Sequence, residues 1–305
     1  MHLLLTACTQ RKRSVPSPEL SARNLPIGSA QAVNAEWASR ISAVQPAGSA
    51  GDVYCGRSIV EASSATRAAA GNLCVVSAGL GLVCIEETIP SYNLTVTKGG
   101  PDYIVEKFSA GETSADWWRL MSNRRSLSEL SDRFDGLILV ALPSPYLRMI
   151  AHELTELRES SLERVRILSG SDNGVLPARL SAQVIPYDGR LDGPQSPIRG
   201  TKSDFASRAL RHFVEAILPD APRAEAASHA KKLESVMATW DRHEVRPGTR
   251  MSDTEIKTIA RDNWARVGGS STKLLRLLRD ELNIACEQKR FARLAAEVRD
   301  ERASQ

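Results

Sequence analysis

The chain has 305 residues, 42% of them hydrophobic and 25% charged, with a formal net charge of +4. This is ordinary globular composition and excludes wholesale disorder; no apolar run reaches the ~18–20 residues that span a bilayer. The five cysteines, Cys8, Cys55, Cys74, Cys84 and Cys286, are odd in number, widely spaced and free of Cys-x-x-Cys, which argues against a disulfide framework, a zinc ribbon or an iron–sulfur site.

Along the chain, short non-alternating apolar runs fall at 2–7, 73–78, 137–142 and 165–169, with a fifth candidate at 184–187. Runs of this length, rich in Val, Ile and Leu, are how strands buried on both faces of a parallel sheet read. Helical patterns lie between them at 30–42, 58–70, 114–121 with 126–133, and 146–160. The alternation predicts an α/β fold with a doubly wound, mostly parallel sheet, its site at the carboxyl ends of the strands. The apolar run 2–7 precedes Arg11-Lys12-Arg13, the reverse of the order in an export signal. A cytoplasmic, reduced location is therefore expected.

Polar residues gather after these runs. The first is followed by Thr9, Gln10, Arg11 and Lys12, the second by Gly79-Leu80-Gly81, Glu86 and Glu87. The third leads into Pro143-Ser144-Pro145-Tyr146, and the fourth into Gly170-Ser171-Asp172-Asn173-Gly174. No P-loop, complete dinucleotide fingerprint, His-Glu-x-x-His or Gly-x-Ser-x-Gly occurs. The five histidines lack ligand spacing, so no metal or organic cofactor is indicated.

A Gly/Pro-rich stretch at 188–200 reads as a linker or an active-site loop. The expected division is an α/β domain over 1–198 and a basic all-helical domain over 199–305. The first carries 19 Lys+Arg against 20 Asp+Glu, a net of −1; the second carries 21 against 16, a net of +5. Helices are expected at 203–217, 224–240, 252–267, 272–282 and 287–301. Ser252 to Glu255 forms a capping box opening the third of these. The Gly268-Gly269 break suits a helix-turn-helix-like unit. Lys273, Arg276 and Arg279, then Lys289, Arg290 and Arg293, lie near one face of successive helices and, with Arg11, are candidate phosphate contacts.

Four segments also carry a resemblance. Cys8-Thr9-Gln10-Arg11-Lys12, Tyr54-Cys55-Gly56, Ser77-Ala78-Gly79-Leu80-Gly81-Leu82 and Pro90-Ser91-Tyr92-Asn93 resemble the ordered motifs of a group of bacterial domains. In that group a first strand ends in Cys-Ser/Thr-x-x-Lys, and a second runs into Ser-Ala-x-x-Gly-Leu and a Pro-Tyr-Asp turn. Here a serine is inserted in the turn, and Asn93 stands where the pattern has Asp. The group is distantly similar to archaeosine and deazaguanine modification domains, to the uracil-DNA glycosylase fold, and to phage-defence DNA glycosylases. Pro143-Ser144-Pro145 is similar to the loop that carries the catalytic His of uracil-DNA glycosylases, with Leu142 in place of that His.

The resemblance implies hydrolysis of the N-glycosidic bond of a modified base in phage DNA, such as glucosylated hydroxymethylcytosine, leaving an abasic site. Such chemistry rests on electrostatic preorganisation and a placed water, with the base flipped out of the stack. Asn93, Asp172 and Glu87 are the candidate catalytic residues. Cys8, Thr9, Gln10, Lys12, Tyr54, Ser77, Gly79, Tyr92, Ser144 and Asn173 are the candidate substrate contacts. The expected partner is double-stranded DNA carrying modified bases, with no obligatory protein partner. The alternatives are a base-exchange or nucleoside-processing enzyme for deazaguanine-type bases, and a non-catalytic DNA-binding protein with a nucleotide-sensing pocket.

Overall fold

A computed structural model describes residues 1–109, 111–122, 125–170, 176–242 and 248–303. The chain divides into two compact units, Met1–His243 and Glu244–Gln305.

Unit 1 runs β1 (Leu3–Ala7), α1 (Ala30–Ser42), β2 (Gly48–Ser49), α2 (Ala50–Val53), α3 (Arg57–Ala68), β3 (Asn72–Ser77), β4 (Gly81–Cys84) and β5 (Thr88–Ile89). It continues with α4 (Ser114–Ser122), α5 (Leu127–Ser131), β6 (Ile138–Ala141), α6 (Ser144–Thr155), α7 (Glu159–Leu162), β7 (Val165–Ile167), α8 (Phe205–His212) and α9 (Ala226–Met237). Five strands form one sheet in the order β4-β3-β1-β6-β7, parallel except for β4. The four expected strands are present. The segment 184–187 contributes only a single bridge, Ile167 to Val184, beside β7. Conversely, 81–84, expected as loop, forms the antiparallel edge strand β4. Gly81, at φ +79°, makes the tight reversal that lets it pair back on β3.

The sheet is buried on both faces, as its apolar runs require. Leu3 and Leu5 enter one core with Trp37, Trp117 and Ile150; Leu4 enters the other with Ala62, Leu210 and Phe213. The second core moves the expected domain boundary. Residues 199–240 are not a separate helical domain: α8 packs on α3 and β6, and its apolar face covers Leu4, Leu139 and Ala141. The stretch 188–200 is fastened to that layer. Arg208, fully buried, donates to the carbonyls of Ile198 (3.0 Å) and Thr201 (2.9 Å) and pairs with Asp192 and Asp204.

Unit 2 contains β8 (Thr249–Arg250), α10 (Asp253–Asn263), α11 (Ser271–Arg276), β9 (Ile284–Ala285) and α12 (Gln288–Ala303). It is helical apart from the short parallel pair β8–β9. Ile256, Leu274, Leu278, Phe291 and Leu294 form its core. The Ser252–Glu255 capping box is present, but α10 ends at Asn263, before the Gly268-Gly269 turn.

Candidate functional site

Among the parallel strands, β1 connects to β3 on one side, and β3 crosses over to β6 on the other. The winding direction therefore reverses between β1 and β6, and in such sheets ligands bind outside the carboxyl ends of the strands at that reversal. A cavity of about 550 Å³ opens there, within the ~300–1,000 Å³ usual for small-molecule sites.

The elements bring their carboxyl or amino ends to it. Strand β1 supplies Thr6, and the loop after it Cys8, Thr9, Gln10 and Arg11. The start of α3 supplies Arg57 and Ser58, behind Gly56 at φ +109°. The N-cap and first turn of α6 supply Pro143, Pro145 and Tyr146; the turn before α8 supplies Lys202 and Asp204, and α8 supplies Ser207. Cys8 Sγ lies 3.2 Å from the Tyr146 hydroxyl. Burial, followed by the neighbouring Cys8, pushes the Tyr146 phenol well up, which keeps it protonated at neutral pH. Thr6 Oγ1 and Ser207 Oγ are 3.3 Å apart. Asp204 accepts from Arg208 Nε at 2.5 Å and from the Thr201 backbone N–H at 2.9 Å. Burial raises its pKa, but those bonds outweigh burial and hold the carboxyl below its ordinary value. Asp204 is thus an ionised structural anion with occupied acceptors.

The four resembling segments do meet, directly behind the β1 loop. The Tyr54 hydroxyl is 2.8 Å from that of Tyr92 and 3.2 Å from Ser77 Oγ, which is itself 2.5 Å from the Tyr92 hydroxyl. Ser77 Oγ also accepts the Leu80 N–H at 3.0 Å. Lys12 Nζ sits 4.6 Å from the Tyr92 ring centre and 5.3 Å from that of Tyr54, and donates to the Thr9 carbonyl. Burial lowers the Lys12 pKa, against the opposing pull of Cys8 and Cys55. A Cβ on Gly79 would come 2.7 Å from the Tyr92 ring, so only glycine fits beneath that tyrosine.

This arrangement corrects several expected roles. Tyr54, Tyr92 and Ser77 are fully buried, and none of Lys12, Tyr54, Ser77, Gly79 and Tyr92 lines the cavity. They hold the β1 loop from behind and are not among the residues that face the cavity. Asn93 does not line the cavity either. Its N–H and carbonyl bond Leu20 and Ala22, and its side-chain amide reaches Ser21 Oγ at 3.3 Å, so it clamps two loops together. Glu87 is at the opposite end of the strands from the cavity, because β4 runs antiparallel and returns the chain to the amino end of β3. There it pairs with Arg125 and accepts the Cys84 N–H at 3.1 Å. Ser144 is the first residue of α6, between two prolines that line the cavity. Asp172 and Asn173 lie outside the described residues. Of the expected substrate contacts, Cys8, Thr9 and Gln10 line the cavity, and so does Arg11, expected to contact phosphate.

Sequence reasoning missed Thr6, Arg57, Lys202, Asp204 and Ser207. Arg57 was within reach, since it directly follows Tyr54-Cys55-Gly56. The α8 residues were hidden by assigning their helix to another domain.

In unit 2, the expected cationic ridge is partly consumed by internal pairing. Arg290 and Arg293 both pair with Asp253, and Arg293 also with Glu297. Arg279 donates to the Cys286 carbonyl at 2.7 Å. Lys273, Arg276 and Lys289 are exposed and form no ion pair among the described residues.

No protein-family model, curated protein or solved structure matches this chain. Among the described residues, no group of three or more His, Cys, Asp or Glu is placed to hold a metal ion. No helix among them is long and apolar enough to cross a membrane.

Proposed function

We propose that unit 1 is a DNA glycosylase of the uracil-DNA glycosylase type. It would hydrolyse the bond between deoxyribose and a modified base of phage DNA, with unit 2 contributing duplex contacts. One observation carries this reading: the cavity at the β1/β6 reversal combines a nucleoside-compatible size with hydroxyls inside and cations at its rim. The base enters after extrusion from the stack. Thr6, Ser207 and the Tyr146–Cys8 pair read its polar edge. Arg11 and Lys202 offset the flanking phosphates and the negative charge that develops on the departing base; Arg57, also on the lining, is held by Glu61 at 3.0 Å and by the Arg199 carbonyl at 2.6 Å. Asp204 has its acceptors occupied, so among the described lining residues no carboxylate is available as a general base. The chemistry then rests on stabilising the leaving base and placing water by hydroxyls, which restricts it to bases that leave readily.

The commitment of Arg279, Arg290 and Arg293 to pairs within unit 2 favours a second reading, a nucleoside- or base-processing enzyme that needs no polymer. One experiment separates the two. Purified protein is incubated with differently modified phage genomes and with the matching free nucleosides, and released bases are identified by mass spectrometry. Base release from DNA together with alkali-labile strands supports the glycosylase. Release from nucleosides alone supports the second reading, and release from neither overturns both.

A further inference from the structure

The strands β3 and β4 place two thiols face to face. Cys74 and Cys84 are directly opposed partners in the antiparallel ladder. The Ile85 N–H bonds the Leu73 carbonyl, which makes Cys74–Cys84 a non-hydrogen-bonded pair, the kind with Cα atoms only about 4.5 Å apart and side chains closest. That separation lies within the ~4.4–6.8 Å that a disulfide needs. Their sulfurs are 3.0 Å apart, so bond formation needs side-chain rotation and little backbone movement.

The surroundings distinguish the two sulfurs. Cys74 is fully buried and Cys84 is half-buried. Arg125 Nη1 donates to Cys84 Sγ at 3.3 Å and also pairs with Glu87. The hydrogen bond from Cys74 lowers the Cys84 pKa and outweighs burial and the nearby Glu87 carboxylate, with the Arg125 charge adding a smaller pull in the same direction; the same contact and burial raise that of Cys74. A thiolate supported by a cation is the reactive form of cysteine. Cys84 is therefore the attacking sulfur and Cys74 the resolving one.

We infer that Cys74 and Cys84 form a reversible redox pair that closes to a disulfide with a hydroperoxide as oxidant. In the first step the Cys84 thiolate attacks the peroxide O–O bond, giving Cys84 sulfenic acid and releasing hydroxide or alkoxide. In the second, Cys74 sulfur attacks the sulfenic sulfur. The S–S bond forms, the S–O bond breaks, and the departing hydroxide takes the Cys74 proton and leaves as water. The peroxide is reduced and the two thiols are oxidised; a dithiol reductant reverses the change. An exchangeable pair is also the form in which disulfides occur in reducing compartments. Closure would fix the base of the β3–β4 hairpin, whose reversal carries Ser77 and Gly79 beneath Tyr92. The inference stands on thiol geometry and is independent of the function proposed above.

The test uses the full chain. Graded hydrogen peroxide is followed by alkylation and trypsin. Peptide 68–98 contains Cys74 and Cys84 and no other cysteine, so the bond is read within one peptide. The expected result is that this peptide becomes unalkylated and lighter by two hydrogens while Cys8, Cys55 and Cys286 are still alkylated, and that dithiothreitol reverses it. Cys74→Ser should stop at a dimedone-reactive Cys84, and Arg125→Ala should slow closure several-fold. The wild-type map alone decides the matter. A peptide that stays doubly alkylated at every peroxide level overturns the inference, as does Cys84 oxidising further while Cys74 remains alkylated.

Discussion

Thr6 and Ser207 are separated by 201 positions in the chain, yet their hydroxyl oxygens lie 3.3 Å apart in the cavity wall. One belongs to β1 and the other to α8. The site is therefore built across the sheet and the helical layer that covers it, and is incomplete without residues after 199.

A chain ending at residue 198 leaves Leu4, Leu139 and Ala141 without the α8 face that covers them, and should not fold cooperatively. A chain ending at residue 243 keeps both cores and should melt in a single sharp transition. Near-UV circular dichroism and thermal melts of the two truncations check this. A folded 198-residue chain would place the boundary back at 198/199.

Removing either hydroxyl of the cavity pair tests their part in binding. Thr6→Val and Ser207→Ala should each weaken substrate capture by about tenfold, the equivalent of one lost hydrogen bond of roughly 1–1.5 kcal/mol. Asn93→Ala, outside the cavity, should cost stability instead. The measurement is kcat/KM for base release beside a urea denaturation curve. Loss of activity in Asn93→Ala with unchanged stability would restore Asn93 to the chemistry.

Behind the β1 loop, Tyr92→Phe removes one of three mutually bonded hydroxyls and should destabilise unit 1 by about 1–3 kcal/mol, the cost of leaving buried partners unsatisfied. Gly79→Ala should cost a similar amount, about 1–3 kcal/mol, by overpacking, since its Cβ would sit 2.7 Å from the Tyr92 ring. Urea midpoints report both changes, and an unchanged midpoint in Gly79→Ala would show that the tyrosine moves freely.

Much of this architecture was legible, and the reasons are physical. The run 137–142 is too apolar to alternate, so it had to be buried on both faces, and β6 is. The four motif segments stand out only through their resemblance to a group of bacterial domains, and they meet around Lys12, Tyr54, Ser77 and Tyr92. Their place behind the cavity is not legible in sequence, because a tyrosine that contacts a ligand and one that closes a buried hydroxyl cluster have the same local sequence. Arg208 shows the other gap. A stretch of glycine and proline looks like a linker until a buried guanidinium, invisible as such in sequence, ties its carbonyls to the helix beyond. Glu87 misses the cavity for a topological reason: the four-residue antiparallel strand β4 carries it to the amino end of the parallel strands.

Acid sensitivity should come from two buried histidines in the layer of α8 and α9. His229 Nε2 donates to the Ala221 carbonyl and its Nδ1 accepts from Arg166, while His212 Nδ1 meets the Tyr187 hydroxyl at 2.8 Å. Burial lowers both pKa values below the ordinary 6.5. Each ring is thus neutral in the fold, whereas the unfolded chain takes up a proton as pH falls through 6.5. Stability from these groups is present above that pH and declines below it, by at most about 1.4 kcal/mol per pH unit for each ring. Urea midpoints between neutral pH and the folded pKa values should show the decline, and His212→Gln should flatten it. A midpoint independent of pH in that window would mean that both rings titrate alike in the folded and unfolded chains.

The cations of unit 2 sort into two sets with opposite expected phenotypes. Arg293→Gln breaks pairs to Asp253 and Glu297 and should lower the stability of the unit while leaving the salt dependence of DNA binding unchanged. Lys273→Glu and Arg276→Glu alter exposed, unpaired charges at α11 and should leave stability unchanged. If that helix contacts phosphate, each neutralised contact is worth about 0.9 in the slope of log affinity against log salt, and both variants should flatten the slope and weaken binding alike on modified and unmodified duplexes. Fluorescence anisotropy over a salt series reads slope and affinity together. Unchanged slopes in both variants would remove α11 from the DNA interface and leave Arg11 and Lys202 at the cavity as the cations through which unit 1 would meet its substrate.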